Sequence, residues 1–368
     1  MTHHRIALLS SGHQDFVTSM ADLSIRGLPP GYVDGEFVFT RRGRQEADGS
    51  WTAVPEGRSI RYSAIVALGV ATLEEDVQRE ALGGDSLHDL VGNLVKRLPE
   101  VKGLGDAALI AWAAAESGHA DLDAALRRLA ELDTGGQVFT VEASWALAAL
   151  VAAGADVERA RERVLGGLRD DRLYRHTLGE GSLVPWYRAH VGCFADQVYP
   201  LQALARLHAA TGDAEALRAA EQVARGICDA QGPQGEWWWH YDARSGAVVE
   251  GYPVYSVHQL AMAPMALLDL ADAGGTAYVQ EIAAGLDWMI ERPSMVLDEL
   301  ALTWRKEARA DPRKIVRGAR AAASRVHLGG ALGVLDRVYP PTAVDRECRP
   351  YELGWLLYAW LTRCGQAS

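Results

Sequence analysis

Six stretches of the chain are apolar on every side: RSIRYSAIVALGVA, KGLGDAALIAWAAAESG, FTVEASWALAALVAAG, FADQVYPLQALARLHAATG, YSVHQLAMAPMALLDLADAGG and RPYELGWLLYAWL. A helix with no wet face must be covered all round by other protein. Between these stretches lie charged, amphipathic segments with 3.6-residue periodicity, at 73–97, 121–132, 156–168, 214–230 and 278–292. Buried helices alternating with half-wet ones predict an all-α chain folded as an (α/α)6 toroid, in which each repeat buries its core only against its neighbours. The spacing is uneven, with long insertions before the fourth, fifth and sixth apolar helices, so the toroid is expected to be irregular. Residues 1–57 read as a short extended N-terminal arm packed on a main domain at 58–368. In that arm DGEFVFTRRGRQEADGSW suggests a β-hairpin about the polar turn at Gly43–Gly49. Strand-like alternation is almost absent after Arg58.

With 368 residues, 49% of them hydrophobic, the chain can bury a large core. Its net charge of −11 and the lack of a basic block argue against nucleic acid as a partner. No apolar run is long enough for a signal segment or a membrane span, which predicts a cytoplasmic protein. Cys193, Cys228, Cys348 and Cys364 are widely spaced, as expected of reduced thiols rather than a disulfide framework or a zinc site. There is no phosphate loop, dinucleotide fingerprint or metal-binding motif, so no cofactor and no metal are expected. The expected partner is a small molecule or an oligosaccharide.

Near the start of each apolar helix stands a residue able to do chemistry: Tyr62, Asp106, Glu142, Asp196, His258 and Glu352. Parallel inner helices would bring these starts to one rim. Acidic residues there have a second reading, as caps complementing the helix dipole. The densest stretch is QGPQGEWWWHYDARSGAVVEGYPVYSVHQ, between Gln231 and Gln259. Aromatic rings and carboxylates this close together suggest the lining of a cleft. Trp237, Trp238 and Trp239, with Trp186, are candidate stacking surfaces for a sugar ring, though one Trp of three is expected to be plain packing. His240, Glu250, Tyr255 and Gln259 are candidate substrate contacts. Tyr252 with His258 forms a candidate acid/base pair, alongside Asp196 and Glu352. Glu142 and Arg349 are further binding candidates, Arg349 for an anionic group. The basic run Arg305, Lys306, Arg313, Lys314, Arg317, Arg320 and Arg325 reads either as an anion clamp or as the solvated face of a helix at 311–326.

The segment FADQVYPLQALARLHAATGDAEALRAAEQV resembles the inner–outer helical hairpin of six-hairpin glycosidases, the unsaturated glucuronyl and rhamnogalacturonyl hydrolase group. The resemblance implies that Asp196 occupies the catalytic acid/base position. The wider toroid class also holds polysaccharide lyases and uronyl epimerases. The expectation is therefore a carbohydrate-active enzyme, a hydrolase, lyase or epimerase, working on a uronate-containing glycan. A second resemblance is to squalene–hopene-type terpenoid cyclases, through QGPQGEW as a QxxxGxW repeat, and implies an aromatic-lined cavity for an isoprenoid. A third reading is a non-catalytic toroidal glycan-binding or scaffold protein.

Overall fold

The computed structural model describes residues 4–168, 171–311, 315–325 and 334–362; Arg313, Lys314 and Cys364 lie outside them. Five inner helices are Ile60–Val70, Leu104–Glu116, Thr140–Ala152, Ala195–Thr211 and Pro350–Leu361. The remaining one, fifth in the ring, runs through His258–Met262 into Ala263–Asp272. Each packs on the next, and the last packs on the first, closing the ring. Their burial is continuous, as at 63–70 in the first and 352–361 in the last. The outer layer is Glu75–Ala81 with Leu87–Lys96, then Leu122–Leu132, Glu158–Gly166, Ala214–Asp229 and Val279–Ile290. The first outer segment is broken where Gly83 and Gly84 take φ of 61° and 110°, a region that side chains with a Cβ rarely enter.

The last inner helix takes its outer partner from the other end of the chain. Ser11–Gly27 packs against Pro350–Leu361 and also touches Glu75–Ala81 and Val279–Ile290, filling the sixth outer place. The expected extended arm is thus in its first half a helix of the ring. Its second half is the hairpin Thr40–Gln45 with Trp51–Glu56, which also pairs with Glu347–Cys348. Arg5, 2% exposed, secures the closure by donating to the Ala359 carbonyl at 2.9 Å and by pairing with Asp269 and Asp272. Where the first and last inner helices meet, a Cβ on Gly69 would lie 2.2 Å from the Gly354 carbonyl oxygen, so only glycine lets the two backbones touch.

Short strands lead directly into four inner helices: Val138–Phe139, Val191–Cys193, Val254–Tyr255 and Glu347–Cys348. At two or three residues they are too short to show alternation, so the sequence after Arg58 does not reveal them. Their pairings to Thr177–Leu178, His240–Asp242 and Lys306–Ala308 tie inner-helix starts to the long insertions, and that of Glu347–Cys348 to Thr40–Gln45 ties the last one to the N-terminal hairpin. The fifth inner helix opens with a π-helical turn at His258–Met262, a widening often found at functional sites. Pro264 follows and has no N–H, which leaves the Leu260 carbonyl over; the Trp360 indole donates to it at 2.7 Å.

Candidate active site

The starts of five of the six inner helices, all but Leu104–Glu116, line a cavity of about 190 Å³. Its walls are aromatic, from Tyr62, Trp145, Tyr199, Trp239, Tyr255 and Tyr351, and Arg61, Arg305 and His258 also reach it. Four pairs one helical turn apart line it, Arg61 with Ile65, Val141 with Trp145, Ala195 with Tyr199 and His258 with Met262, as expected of the axis-facing side of inner helices. Arg61 lies 5.2 Å over Trp145 and is paired with Asp106 at 2.7 Å and Glu142 at 3.3 Å. Arg305 lies 5.1 Å over Tyr255, with Asp345 at 3.4 Å and Glu352 at 3.8 Å. Arg349 donates to the Tyr62 hydroxyl at 2.7 Å and pairs with Glu347 at 3.2 Å. A second, outer cavity of about 430 Å³ shares Arg61 and Tyr62 with the first and adds Arg58, Arg97 and Asp106.

Burial displaces a histidine and a carboxyl group here in opposite directions. Burial, helped by the nearby Arg305 charge, pushes His258 down to about 3, so its imidazole is neutral at physiological pH. Its ring is stacked on Trp239 at 5.7 Å and 10°, and its buried Nδ1 has no hydrogen-bond partner among the described residues. Glu352 goes the other way. Burial raises it to about 7, although Arg305 pulls it back. One of its oxygens accepts the Arg349 backbone N–H at 3.2 Å, completing a cap, while Oε1 has no hydrogen-bond partner among the described residues.

Asp196 lies on the first turn of the fourth inner helix and is fully buried. Its Oδ2 accepts from the Cys193 backbone N–H at 2.7 Å and faces His176 Nδ1 at 2.8 Å. Asp196 is thus enclosed, whereas His176, one third exposed, is open to a ligand. The Asp196 carboxylate raises the His176 pKa. His176, Cys193 and Asp196 are also the group of metal-capable side chains found among the described residues. Burial and Asp196 hold the Cys193 thiol well above its ordinary range, so with no cation bound it is protonated beside the His176–Asp196 pair.

Of the residues expected from the sequence, Trp239, Tyr255 and His258 line the cavity, and Glu352, Arg349 and Glu142 stand at its rim through Arg305, Tyr62 and Arg61. Others are placed elsewhere. Trp237 is fully buried against Phe194, at 5.7 Å. Trp238 packs edge-on to Tyr252 at 5.9 Å. Tyr252 does not partner His258; with Glu250 it lines a separate cavity of about 140 Å³, and Tyr255 is the tyrosine beside His258, at 4.8 Å. The alternation of the Gly251–Tyr255 segment sends the two tyrosines to different surroundings. Glu250 is 1% exposed and paired with Arg309 at 3.1 Å and Arg320 at 3.3 Å. Gln259 is buried beside Gly285 and Trp237. Trp186 is 72% exposed on the turn Trp186–Arg188, under Arg325. His240 is buried beside Trp239 and opposite Cys193 in the strand pair. The sequence reading missed Arg61, Trp145, Tyr199, Tyr351 and His176 as site residues. All but His176 lie within the first two turns of an apolar helix and were there to be found.

No family model and no curated protein matches the chain. Solved structures do. An unsaturated glucuronyl hydrolase specific for heparin aligns with a TM-score of 0.59 at 14% identity, over 94% of this chain and 96% of that one. A possible GH105-family member from Salmonella enterica gives 0.57 at 11%, over 94% and 93%. A sugar epimerase from a ruminal bacterium gives 0.56 at 11%, over 94% and 98%. At such identities the likeness is one of fold, the (α/α)6 toroid.

Proposed function

We propose that this protein is an enzyme performing acid–base chemistry on a uronate-type sugar residue held in the central cavity. The observation that carries the reading is that Arg61 and Arg305 reach the same aromatic-walled cavity as the neutral imidazole of His258. Flat rings such as Trp239 and Trp145 suit the apolar face of a sugar, and a guanidinium is the group that grips a carboxylate in two-pronged fashion. A neutral His258 can accept a proton, and Glu352, near 7, can give or take one. Asp196 then acts as a positioning residue that orients and charges His176. The glucuronyl hydrolases and the sugar epimerase of like fold support a sugar acid as substrate. A hydrocarbon-cyclising cavity would have no use for two guanidiniums, which ranks the terpenoid reading below this one.

The test is turnover of unsaturated and saturated uronyl oligosaccharides in deuterated water. Hydrolysis releases the uronyl unit without deuterium on the carbon next to its carboxylate; epimerisation puts deuterium there, and elimination creates a new conjugated alkene. Arg305→Ala should lose the acidic sugar far more than its neutral counterpart. If no uronate binds or reacts, or if Arg305→Ala treats both sugars alike, the reading fails.

A further inference from the structure

The insertion before the fourth inner helix sets a second kind of chemistry next to Ala195, which lines the central cavity. His176 belongs to that insertion, Cys193 to the strand Val191–Cys193, and Asp196 to the first turn of the helix Ala195–Thr211. One ligand atom from each, an imidazole nitrogen, a thiol sulfur and a carboxylate oxygen, lie within 4.8 Å of one another. No spacing motif marks this trio, because its members meet only once the chain has folded.

The segments that carry the three are fixed to one another. Gln197, buried on the same turn as Asp196, accepts the Tyr174 N–H at 2.8 Å. It donates to the carbonyls of Tyr174 at 2.9 Å and Cys193 at 3.1 Å. The His176 N–H is held by the Val191 carbonyl at 3.2 Å, and the His176 carbonyl accepts the Thr140 N–H at 3.1 Å. A surrounding layer of hydrogen bonds of this kind is what orients the ligands of a bound ion.

Two buried atoms here are short of partners among the described residues. Asp196, with no exposure, leaves Oδ1 unpaired, and His240, 2% exposed, leaves Nδ1 unpaired. His240 stands opposite Cys193 in the strand pair, and opposite residues put their side chains on one face. Buried polar atoms left without a partner are costly, and a cation would satisfy the carboxylate oxygen. A thiol, an imidazole and a single carboxylate do not suit magnesium or calcium, which take oxygen donors; they suit zinc. Tetrahedral zinc sets its donors roughly 3.3–3.7 Å apart, so closing the trio on it takes side-chain shifts of about an ångström. His176, one third exposed, gives the ion its way in and leaves the fourth position to solvent.

We propose that His176, Cys193 and Asp196 form a binding site for a thiophilic divalent cation, zinc fitting best. On binding, the Cys193 S–H bond breaks, a sulfur–metal bond forms, and the proton leaves to solvent. Occupation also withdraws the His176–Asp196 pair from the sugar, so zinc inhibits turnover reversibly. That inhibition rests on the uronate reading; the metal site does not.

The experiment is titration of the reduced, chelator-treated full chain with cobalt(II), a spectroscopic substitute for zinc, followed by displacement with zinc. Wild type should show a sulfur-to-cobalt charge-transfer band together with the d–d bands of a four-coordinate ion, and zinc should abolish both. Cys193→Ser should lose the charge-transfer band, and His176→Ala should weaken binding by at least about tenfold, while Cys228→Ser behaves as wild type. Absence of the charge-transfer band in wild type overturns the site. So does a spectrum unchanged in folded Cys193→Ser and His176→Ala, or a band lost in Cys228→Ser instead. On a uronyl substrate, zinc that binds yet leaves turnover unchanged overturns the inhibition alone.

Discussion

His176 Nδ1 and Asp196 Oδ2 are 2.8 Å apart, a one-third-exposed imidazole set on a fully buried carboxylate. Asp196 is the largest cause of the raised His176 pKa. Asp196→Asn should therefore lower that pKa, read by NMR titration of the ring. The sign for stability follows. Because the folded value lies above the unfolded one, near 6.5, the pair stabilises fully below about 6.5 and loses its effect as pH rises through the folded value. Wild type and Asp196→Asn should therefore differ more in thermal midpoint at pH 6 than at pH 9. Equal differences at both would remove the ion pair from the account.

Glu352 behaves oppositely. Its pKa rises from 4.5 to about 7, so the fold favours the neutral acid and stability falls as pH climbs between those values. The full effect above 7 is on the order of 3 kcal/mol, from the size of the shift. Glu352→Gln keeps an oxygen for the Arg349 N–H and removes the charge. It should be more stable than wild type at pH 8 and no more stable at pH 4, in urea midpoints, while the rate on a uronyl substrate loses its limb near pH 7.

The tryptophan run separates core from site. Trp237→Ala empties a fully buried position and should destabilise by about 3–5 kcal/mol. At temperatures where the variant is folded, ligand binding should remain. Trp239→Ala should do the reverse, with a smaller loss of stability and more than about tenfold weaker sugar binding. Chemical denaturation and ligand titration on the same samples distinguish them.

Gly69→Ala sets a methyl group 2.2 Å from the Gly354 carbonyl oxygen. The neighbour is backbone of another helix and cannot turn aside, so a loss of about 1–3 kcal/mol or more is expected. Gly12→Ala, which meets nothing within 4 Å, is the control. Midpoints that are the same for both would show that the seam between the first and last inner helices is looser than its geometry.

The ring was readable because helices such as Leu104–Glu116 and Thr140–Ala152 have no polar face, and an inner layer walled by amphipathic helices buries six of them. Ser11–Gly27 was not, although Val17, Met20, Ala21, Ser24 and Gly27 are buried at helical spacing. Small and hydroxylated residues on that stripe weaken its apolar signal. At the site, helix starts pointed to Asp196, His258 and Glu352, since chemistry-bearing residues there stand out against apolar runs. His176 sits in the irregular stretch before Val191–Cys193, where no period says which way a side chain faces. Trp237, Trp238 and Trp239 are one residue type in one run, yet their surroundings differ completely. Only the pairing of His240–Asp242 with Val191–Cys193 fixes which ring turns towards the barrel axis.

The sixth outer place has a consequence for synthesis. Ser11–Gly27 is made early and its partner Pro350–Leu361 more than three hundred residues later. At about 5–20 residues per second, the apolar stripe of the early helix waits on the order of tens of seconds before the surface that covers it exists. Until then the first inner helix also lacks one flank. The polar, small-residue character that hid Ser11–Gly27 from the sequence reading suits a segment that must wait for its main partner while the rest of the barrel is translated.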